Sequence, residues 1–319
     1  MSAFLARRAV HSLTVLLIMS FVIYGLIGLM PGDPVDLMIS GDPDITAEDA
    51  QRLRALYGAD QPITTRYAHW LGGVVTGDLG YSRLHSQPVL DVLGPALGST
   101  LKLLGAAFLL SASIGIGLGL LAGSKPRSLR DYGINLFAFA GISVPPFWMA
   151  LLLILIFAVG LGWLPAGGVN LDGGWLGELR HLVLPVVALT IASIGGHTRY
   201  TRASVIEVMR QDFIRTARAK GLSDGQVLVR HALRNAMIPV LTIMALDFGY
   251  LFSGALITET VFAYPGMGKL IFDAIMGNDF NLALVALLFA TLLTLVGNLL
   301  ADLGYAALDP RIKLTEVET

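Results

Sequence analysis

The chain has 319 residues, 55% of them hydrophobic and 14% charged, with a mean hydropathy of +0.70 and a formal net charge of -1. Globular domains carry roughly 25% charged residues, so this is the composition of an integral membrane protein. The absence of cysteine excludes a disulfide framework and any thiolate metal site, and the near-neutral charge gives no electrostatic reason to expect nucleic acid.

A membrane-spanning helix needs about 20 mostly apolar residues. Six stretches qualify, centred on His11 to Met30, Lys102 to Gly123, Gly133 to Gly160, Leu182 to about Arg202, Met237 to Phe262 and Ala283 to Gly304. The first follows Arg7 and Arg8 as a secretory signal would. It is too long for a signal core, however, and Pro31-Gly-Asp-Pro34 replaces a small-residue cleavage site, so it reads as an anchor. The third lies in a charge-free run from Tyr132 to Leu171, broken at Pro165-Ala-Gly-Gly. It reads as one helix, with a second piece as the alternative.

Lys and Arg accumulate on the cytoplasmic side of a membrane protein. With an internal N-terminus, the inner segments hold 15 of the 22 basic residues, eight of them between Arg199 and Arg234. The short outer loops hold only Arg180 and Lys269. Both ends are therefore expected inside, on an inner membrane. The chain divides into residues 1–30, a cytoplasmic tail and first span, and 31–98, an extracytoplasmic insert. A five-helix core, 99–305, carries a cytoplasmic loop at 204–236, and 306–319 is a cytoplasmic tail.

Thr46-Ala-Glu-Asp49 in the insert has the pattern of a capped helix start, with Leu53 and Leu56 following and Gly58 placed to end it. After Pro62 a second helix is expected, with Tyr67, Trp70, Leu71 and Val74 on one stripe. This insert can cover the bundle, dock an external partner, or do both. In the second span Ser111, Gly115, Gly119 and Gly123 recur every four residues and invite a closely packed neighbour. Pro145-Pro146, Pro185 and Pro239 interrupt helices at membrane depth, where freed carbonyls need a neighbour or water in a cavity.

The cytoplasmic loop is the least membrane-like stretch. From Ile206 to Lys220 the residues Ile206, Met209, Phe213 and Ala217 share a helical face, predicting one amphipathic helix on the inner surface. Gly221 is placed as its left-handed cap, Ser223-Asp-Gly-Gln226 has the capping-box pattern, and Arg230 with Arg234 form a basic edge on the next helix. The result is a helix-glycine-helix elbow. A loop held only against anionic headgroups, at about 1 kcal/mol per Lys or Arg, is the alternative.

Arg215-Thr-Ala-Arg-Ala-Lys-Gly221 resembles the EAA-x-x-x-G loop of importer permeases of the ATP-binding cassette (ABC) superfamily, with Arg215 where that motif has glutamate and Arg234 where its last proline stands. Arg230-His-Ala-Leu-Arg-Asn-Ala236 and Pro239 resemble the peptide and nickel branch. So do Met30 to Pro34, Gly77-Asp-Leu-Gly-Tyr-Ser82, Leu161-Gly-Trp-Leu-Pro-Ala166, Glu259-Thr-Val-Phe-Ala-Tyr-Pro-Gly-Met-Gly268 and Leu308-Asp-Pro-Arg-Ile312. The resemblance is to the dipeptide/oligopeptide permease family. It implies an all-α membrane protein with six transmembrane helices in the type I ABC importer permease fold, plus a small helical insert after the first. It further implies a non-catalytic subunit whose elbow (Arg215, Thr216, Ala217, Lys220, Gly221, Leu222, Ser223 and Arg230) couples to one or two cytoplasmic ABC ATPase subunits. A second homologous permease would complete a heterodimeric pathway, with Asp247 and Glu259 as candidate pathway residues, and an external binding protein would deliver substrate. ATP and Mg would bind the ATPase, leaving this chain with no cofactor. Di- and oligopeptides are the expected cargo, with nickel, glutathione or antimicrobial peptides as alternatives.

No catalytic or metal-ligand spacing is present, and Gly266-Met-Gly-Lys269 lacks the earlier glycine and the following Ser or Thr of a P-loop. The rival class is a secondary transporter driven by an ion gradient, for which Asp247, an acid in the middle of the fifth expected span, is the argument.

Overall fold

A computed structural model describes residues 2–29, 46, 48–49, 51–52, 61–170 and 174–308, and its account of side chains leaves out residues 2–5, 242, 245–254 and 300–308. The helices are α1 (Ser2–Ile27), α2 (Ile63–Val75), α3 (Val89–Ser124), α4 (Leu129–Ser143), α5 (Pro146–Leu153), α6 (Trp175–Val208), α7 (Asp212–Ala219), α8 (Asp224–Val227), α9 (Leu233–Val261), α10 (Met267–Met276) and α11 (Phe280–Leu308). Wider π-helical turns extend α5 through Ile154–Gly160 and join α8 to α9 through Leu228–Ala232. Among the described residues the expectation of an all-helical chain is qualified by a two-stranded hairpin, β1 (Tyr81–Ser82) antiparallel to β2 (Gln87–Pro88), with Tyr81 opposite Pro88.

Among the described residues, four helices are long and apolar enough to cross a membrane: Ala6–Ile27, Val89–Ser124, Trp175–Val208 and Phe280–Leu299. The third expected span is corrected. It is a pair, α4 and α5, bent by 99° at the Ser143–Pro146 break, and counting the pair as one span gives five. The sequence marks two breaks in this run, at Pro145-Pro146 and at Pro165, and the bend falls at the first of them. The chain breaks there because Pro145 caps α5 in an extended conformation and Pro146 takes its first turn, where a missing N–H costs nothing. The fifth expected span falls within α9, whose central side chains lie outside the described residues. Helix α3 begins 13 residues before the apolar run at Lys102, so at 1.5 Å per residue its 36 residues reach about 54 Å, beyond a ~30 Å hydrocarbon layer.

The chain forms two compact units, one of Ser99–Gly268 with the chain from Thr294 onward, the other of Ser2–Gly98 with Lys269–Leu293. In the first, the small-residue stripe of α3 packs on α6. A Cβ on Gly115 would stand 2.5 Å from His197 Cβ, one on Gly119 2.5 Å from Thr201 Cβ, and one on Gly123 2.8 Å from Val205 Cβ. The four-residue repeats of the two helices interlock, and only glycine permits the approach. A buried apolar cluster around Leu103, Leu104, Ala150, Leu184, Leu189 and Phe262 joins α3, α5, α6 and α9.

In the second unit, α2 packs on α1 along the expected stripe. Ser20 and Tyr67 hydroxyls lie 2.7 Å apart, Phe21 meets Tyr67 edge-on at 5.2 Å, and Tyr24 lies 5.7 Å from Trp70. Trp70 and Val74 also line an apolar cleft of about 160 Å³ with Leu17 of α1 and Leu288 and Phe289 of α11. The hairpin is tied to the start of α11. Buried Asp279 accepts from Ser82 Oγ (2.6 Å) and the Leu84 N–H (3.0 Å) while capping α11 at Leu282 N (3.1 Å). Asn281 donates to the Leu79 and Tyr81 carbonyls. These contacts are those of a cover packed on its own unit. Thr46 and Asp49 make the expected reciprocal cap, with 3.2 Å bonds each way, and the hydrogen bonds from Thr46 hold the Asp49 carboxyl below its usual range. Leu53, Leu56 and Gly58 lie outside the described residues.

Candidate functional site

The basic loop at 204–236 folds as an elbow, but not as one continuous amphipathic helix. Helix α6 stops at Val208, a turn over Met209–Gln211 redirects the chain, and Gln211, extended at ψ 153°, starts α7. The redirection changes which residue is buried. Ile214 and Ala217 face inward while Phe213, assigned to the apolar face by periodicity carried through the break, is 42% exposed. Ile214, Ala217, Val227 and Ala232 form a small core, with Val208, Met209, Leu222 and Leu228 packed around it.

The turn from α7 to α8 is built from local signals. Gly221 has φ +80°, a left-handed conformation that costs a residue with a Cβ about 1–2 kcal/mol, and nothing stands within 4 Å of where a Cβ would project. Its N–H donates to the Arg218 carbonyl at 2.9 Å and that of Leu222 to Ala217 at 3.4 Å, closing α7. Ser223 then opens α8 with a complete capping box, accepting from Gln226 N–H (3.4 Å) while its own N–H donates to Gln226 Oε1 (3.0 Å).

Of the eight elbow residues expected from the sequence, Arg215, Thr216, Lys220, Gly221, Ser223 and Arg230 are exposed, Leu222 is half-buried and Ala217 is buried. Arg215 pairs loosely with Asp212 at 3.3 Å and Arg218 with Asp224 at 3.4 Å, both in solvent. Such pairs contribute less than about 1 kcal/mol, so the basic groups stay available to a partner. Asp212 in the first turn of α7 and Arg218 in the last also complement the helix dipole.

The two candidate pathway acids fare differently. Asp247 lies in α9 and its side chain is outside the described residues. Glu259, in the last turn of α9, is fully buried and accepts from Thr100 Oγ1 (2.6 Å) and the Gly268 N–H (2.7 Å). Thr100 in turn accepts from Met267 N–H at 2.8 Å. The carboxylate thus fastens the turn between α9 and α10 to α3, and the Gly266–Lys269 look-alike is the entry of α10. Tyr264 in that turn donates to the Ser99 carbonyl at 3.3 Å. Burial pushes its phenol up, and the negative Glu178 and Glu259 act the same way.

One arrangement escaped sequence reading. Arg202 of α6 grips Asp131 of α4 with Nε at 2.6 Å and Nη2 at 2.8 Å. Ser128-Leu-Arg-Asp131 is a legible cap, and Ser128 does accept from the Asp131 N–H at 3.2 Å. A partner 71 residues away leaves no local trace.

A bundle of long apolar helices with an interlocked glycine stripe and an exposed basic elbow fits a membrane protein that works with partners, and its relatives define the class. The chain belongs to the family described as the binding-protein-dependent transport system inner membrane component, matched over residues 115–314, with that family's N-terminal component matched over residues 1–103. It is a multi-pass permease subunit with the type I ABC importer permease fold. It is 38% identical to the oligopeptide transport system permease protein AppB of Bacillus subtilis, over 98% of this chain and 100% of that one. It is 36% identical to the di/tripeptide transport system permease protein DppB of Pseudomonas aeruginosa, over 98% and 99%. Among solved structures, an inward-facing MetNI methionine ABC transporter shares the fold with a TM-score of 0.59 and 17% identity, over 70% of this chain and 99% of that one. An amino acid ABC transporter matches with a TM-score of 0.54 and 14% identity, over 68% and 94%.

Proposed function

We propose that this chain forms half of the translocation pathway of an ATP-driven importer of di- and oligopeptides and receives the driving motion at its cytoplasmic elbow. The observation that carries the reading is the elbow itself. A small apolar core holds α7 and α8 in shape, while Arg215, Lys220 and Arg230 remain on the surface, available to an ATPase partner. The near full-length likeness to peptide permeases of two bacteria supports the cargo class. In this reading a second homologous permease completes the pathway, an external binding protein delivers the peptide, and ATP and Mg belong to the ATPase subunits. This chain supplies no catalytic residue. Six spans place both ends and the elbow in the cytoplasm, in keeping with the distribution of Lys and Arg.

Gly221→Val tests the coupling. The site has room for the side chain but not the backbone freedom, so the variant should insert and assemble, misdirect α8, and lose both transport and substrate-stimulated ATP hydrolysis in the reconstituted importer. Normal transport with normal stimulation would return the elbow to a surface-bound loop. Orientation is checked separately in the cysteine-free chain. Ser86→Cys should react with an impermeant thiol reagent in intact cells and Lys220→Cys should not.

A further inference from the structure

Six residues before α6 ends at the elbow, its half-buried Arg202 pairs with the buried Asp131 of a helix that has no direct chain connection to the elbow. Asp131 is 1% exposed and has four donors: Arg202 Nε and Asn135 Nδ2 (2.7 Å) on Oδ1, Arg202 Nη2 and the Arg127 N–H (2.8 Å) on Oδ2. The guanidinium engages the carboxylate as a two-pronged fork, which fixes orientation as well as distance. Two residues along, Ser204 Oγ donates to the Ala236 carbonyl at 2.8 Å, tying the same end of α6 to α9, the helix that leaves the elbow. Higher up, a Cβ on Gly141 would stand 3.0 Å from the Ile191 carbonyl, so α4 and α6 are also in backbone contact. Ser204 thus ties the two helices at the elbow to each other, and α4 meets α6 at Gly141 and Gly195, at Arg199, which lies over the Phe139 ring at 5.3 Å, and at the Asp131–Arg202 fork.

We propose that the Asp131–Arg202 pair is a transmission strut that makes α4 follow α6 when the elbow moves, so that both are positioning residues for transport. The proposal rests on the reading of the elbow as the coupling element. A strut fits better than a latch because both carboxylate oxygens are filled, and opening the pair would strand a buried charge.

The test uses the whole importer purified through a tag on this chain and reconstituted with its ATPase and binding protein. Arg202→Lys keeps the charge and loses the fork. Substrate-stimulated ATP hydrolysis and transport should fall by about two- to thirtyfold, the usual range for a coupling residue, while unstimulated hydrolysis is unchanged. A variant that only lowers thermal stability, with stimulation at the wild-type ratio, overturns the strut. Folding failure of that variant is bypassed by measuring the intact pair. Spin labels on Leu129→Cys and Ala203→Cys, both exposed positions, should keep the same separation with no nucleotide and with ATP and vanadate. A separation that changes between the two states overturns it as well. Uncoupling by Gly221→Val without uncoupling by Arg202→Lys would reject the strut and leave the elbow reading standing. Coupling intact in both would reject the elbow reading itself.

Discussion

Two tight turns in this permease do the same geometric task by opposite means. The turn between α9 and α10 is held from outside itself, by the buried Glu259 carboxylate, by Thr100 of α3, and by Gly268 packed so closely on the Leu256 backbone that a Cβ has no place. The turn between α7 and α8 is closed by its own residues, with Gly221 in open space at φ +80° and Ser223 and Gln226 capping each other, over a small core of Ile214, Ala217, Val227 and Ala232. The first turn is locked into its surroundings. The second rests only on the core of its own two helices and leaves its basic side chains exposed.

The contrast can be broken most severely at the α9–α10 turn. Gly268→Ala drives a methyl into the Leu256 backbone at 2.4 Å, which no rotamer change can move away, and against the Glu259 carboxylate at 3.0 Å. It should cost about 3 kcal/mol or more and abolish accumulation of folded permease, read as the detergent-solubilised yield and unfolding midpoint. Glu259→Gln should cost about 1–3 kcal/mol, because its amide can accept from only one of the two donors, Thr100 and Gly268, that the carboxylate serves. An unchanged midpoint would mean that the carboxylate is not the fastening.

At the α7–α8 turn the same class of change should be mild. Gly221→Ala meets no atom and should cost only the left-handed penalty of about 1–2 kcal/mol, with normal membrane yield. Equal losses for Gly221→Ala and Gly268→Ala would erase the distinction drawn between the turns. Ser223→Ala removes one bond of the capping box and should cost about 1 kcal/mol. The smallest stability effect belongs to Arg215→Ala, below about 0.5 kcal/mol because its pair with Asp212 is solvent-exposed. Stimulated hydrolysis should nevertheless fall, separating a partner contact from a structural one.

The two turns also differ in how they could be read beforehand. Gly221, Ser223 and Gln226 are legible because positive φ and helix capping act over a few residues. The α3 glycine stripe is legible because a four-residue repeat lines up on one helical face, although the partner, His197, Thr201 and Val205 of α6, came only with the fold. Periodicity misled where the backbone changed direction. Carried across Met209–Gln211 it pointed to Phe213 where the core takes Ile214, and carried through Gly133 to Gly160 it ran one expected span across Pro145-Pro146, where the chain bends by 99°.

By itself, the sequence determined the membrane class, most of the apolar spans, the helix caps and the helix-glycine-helix elbow, because each depends on composition or on neighbours within a few residues. Only the tertiary structure decided that Glu259 fastens a turn, that Asp279 ties a hairpin to α11, and that Asp131 meets Arg202. A buried carboxylate takes its role from the donors that reach it. In these three cases the partners come from α3, the hairpin and α6, which are 159, 197 and 71 residues away along the chain.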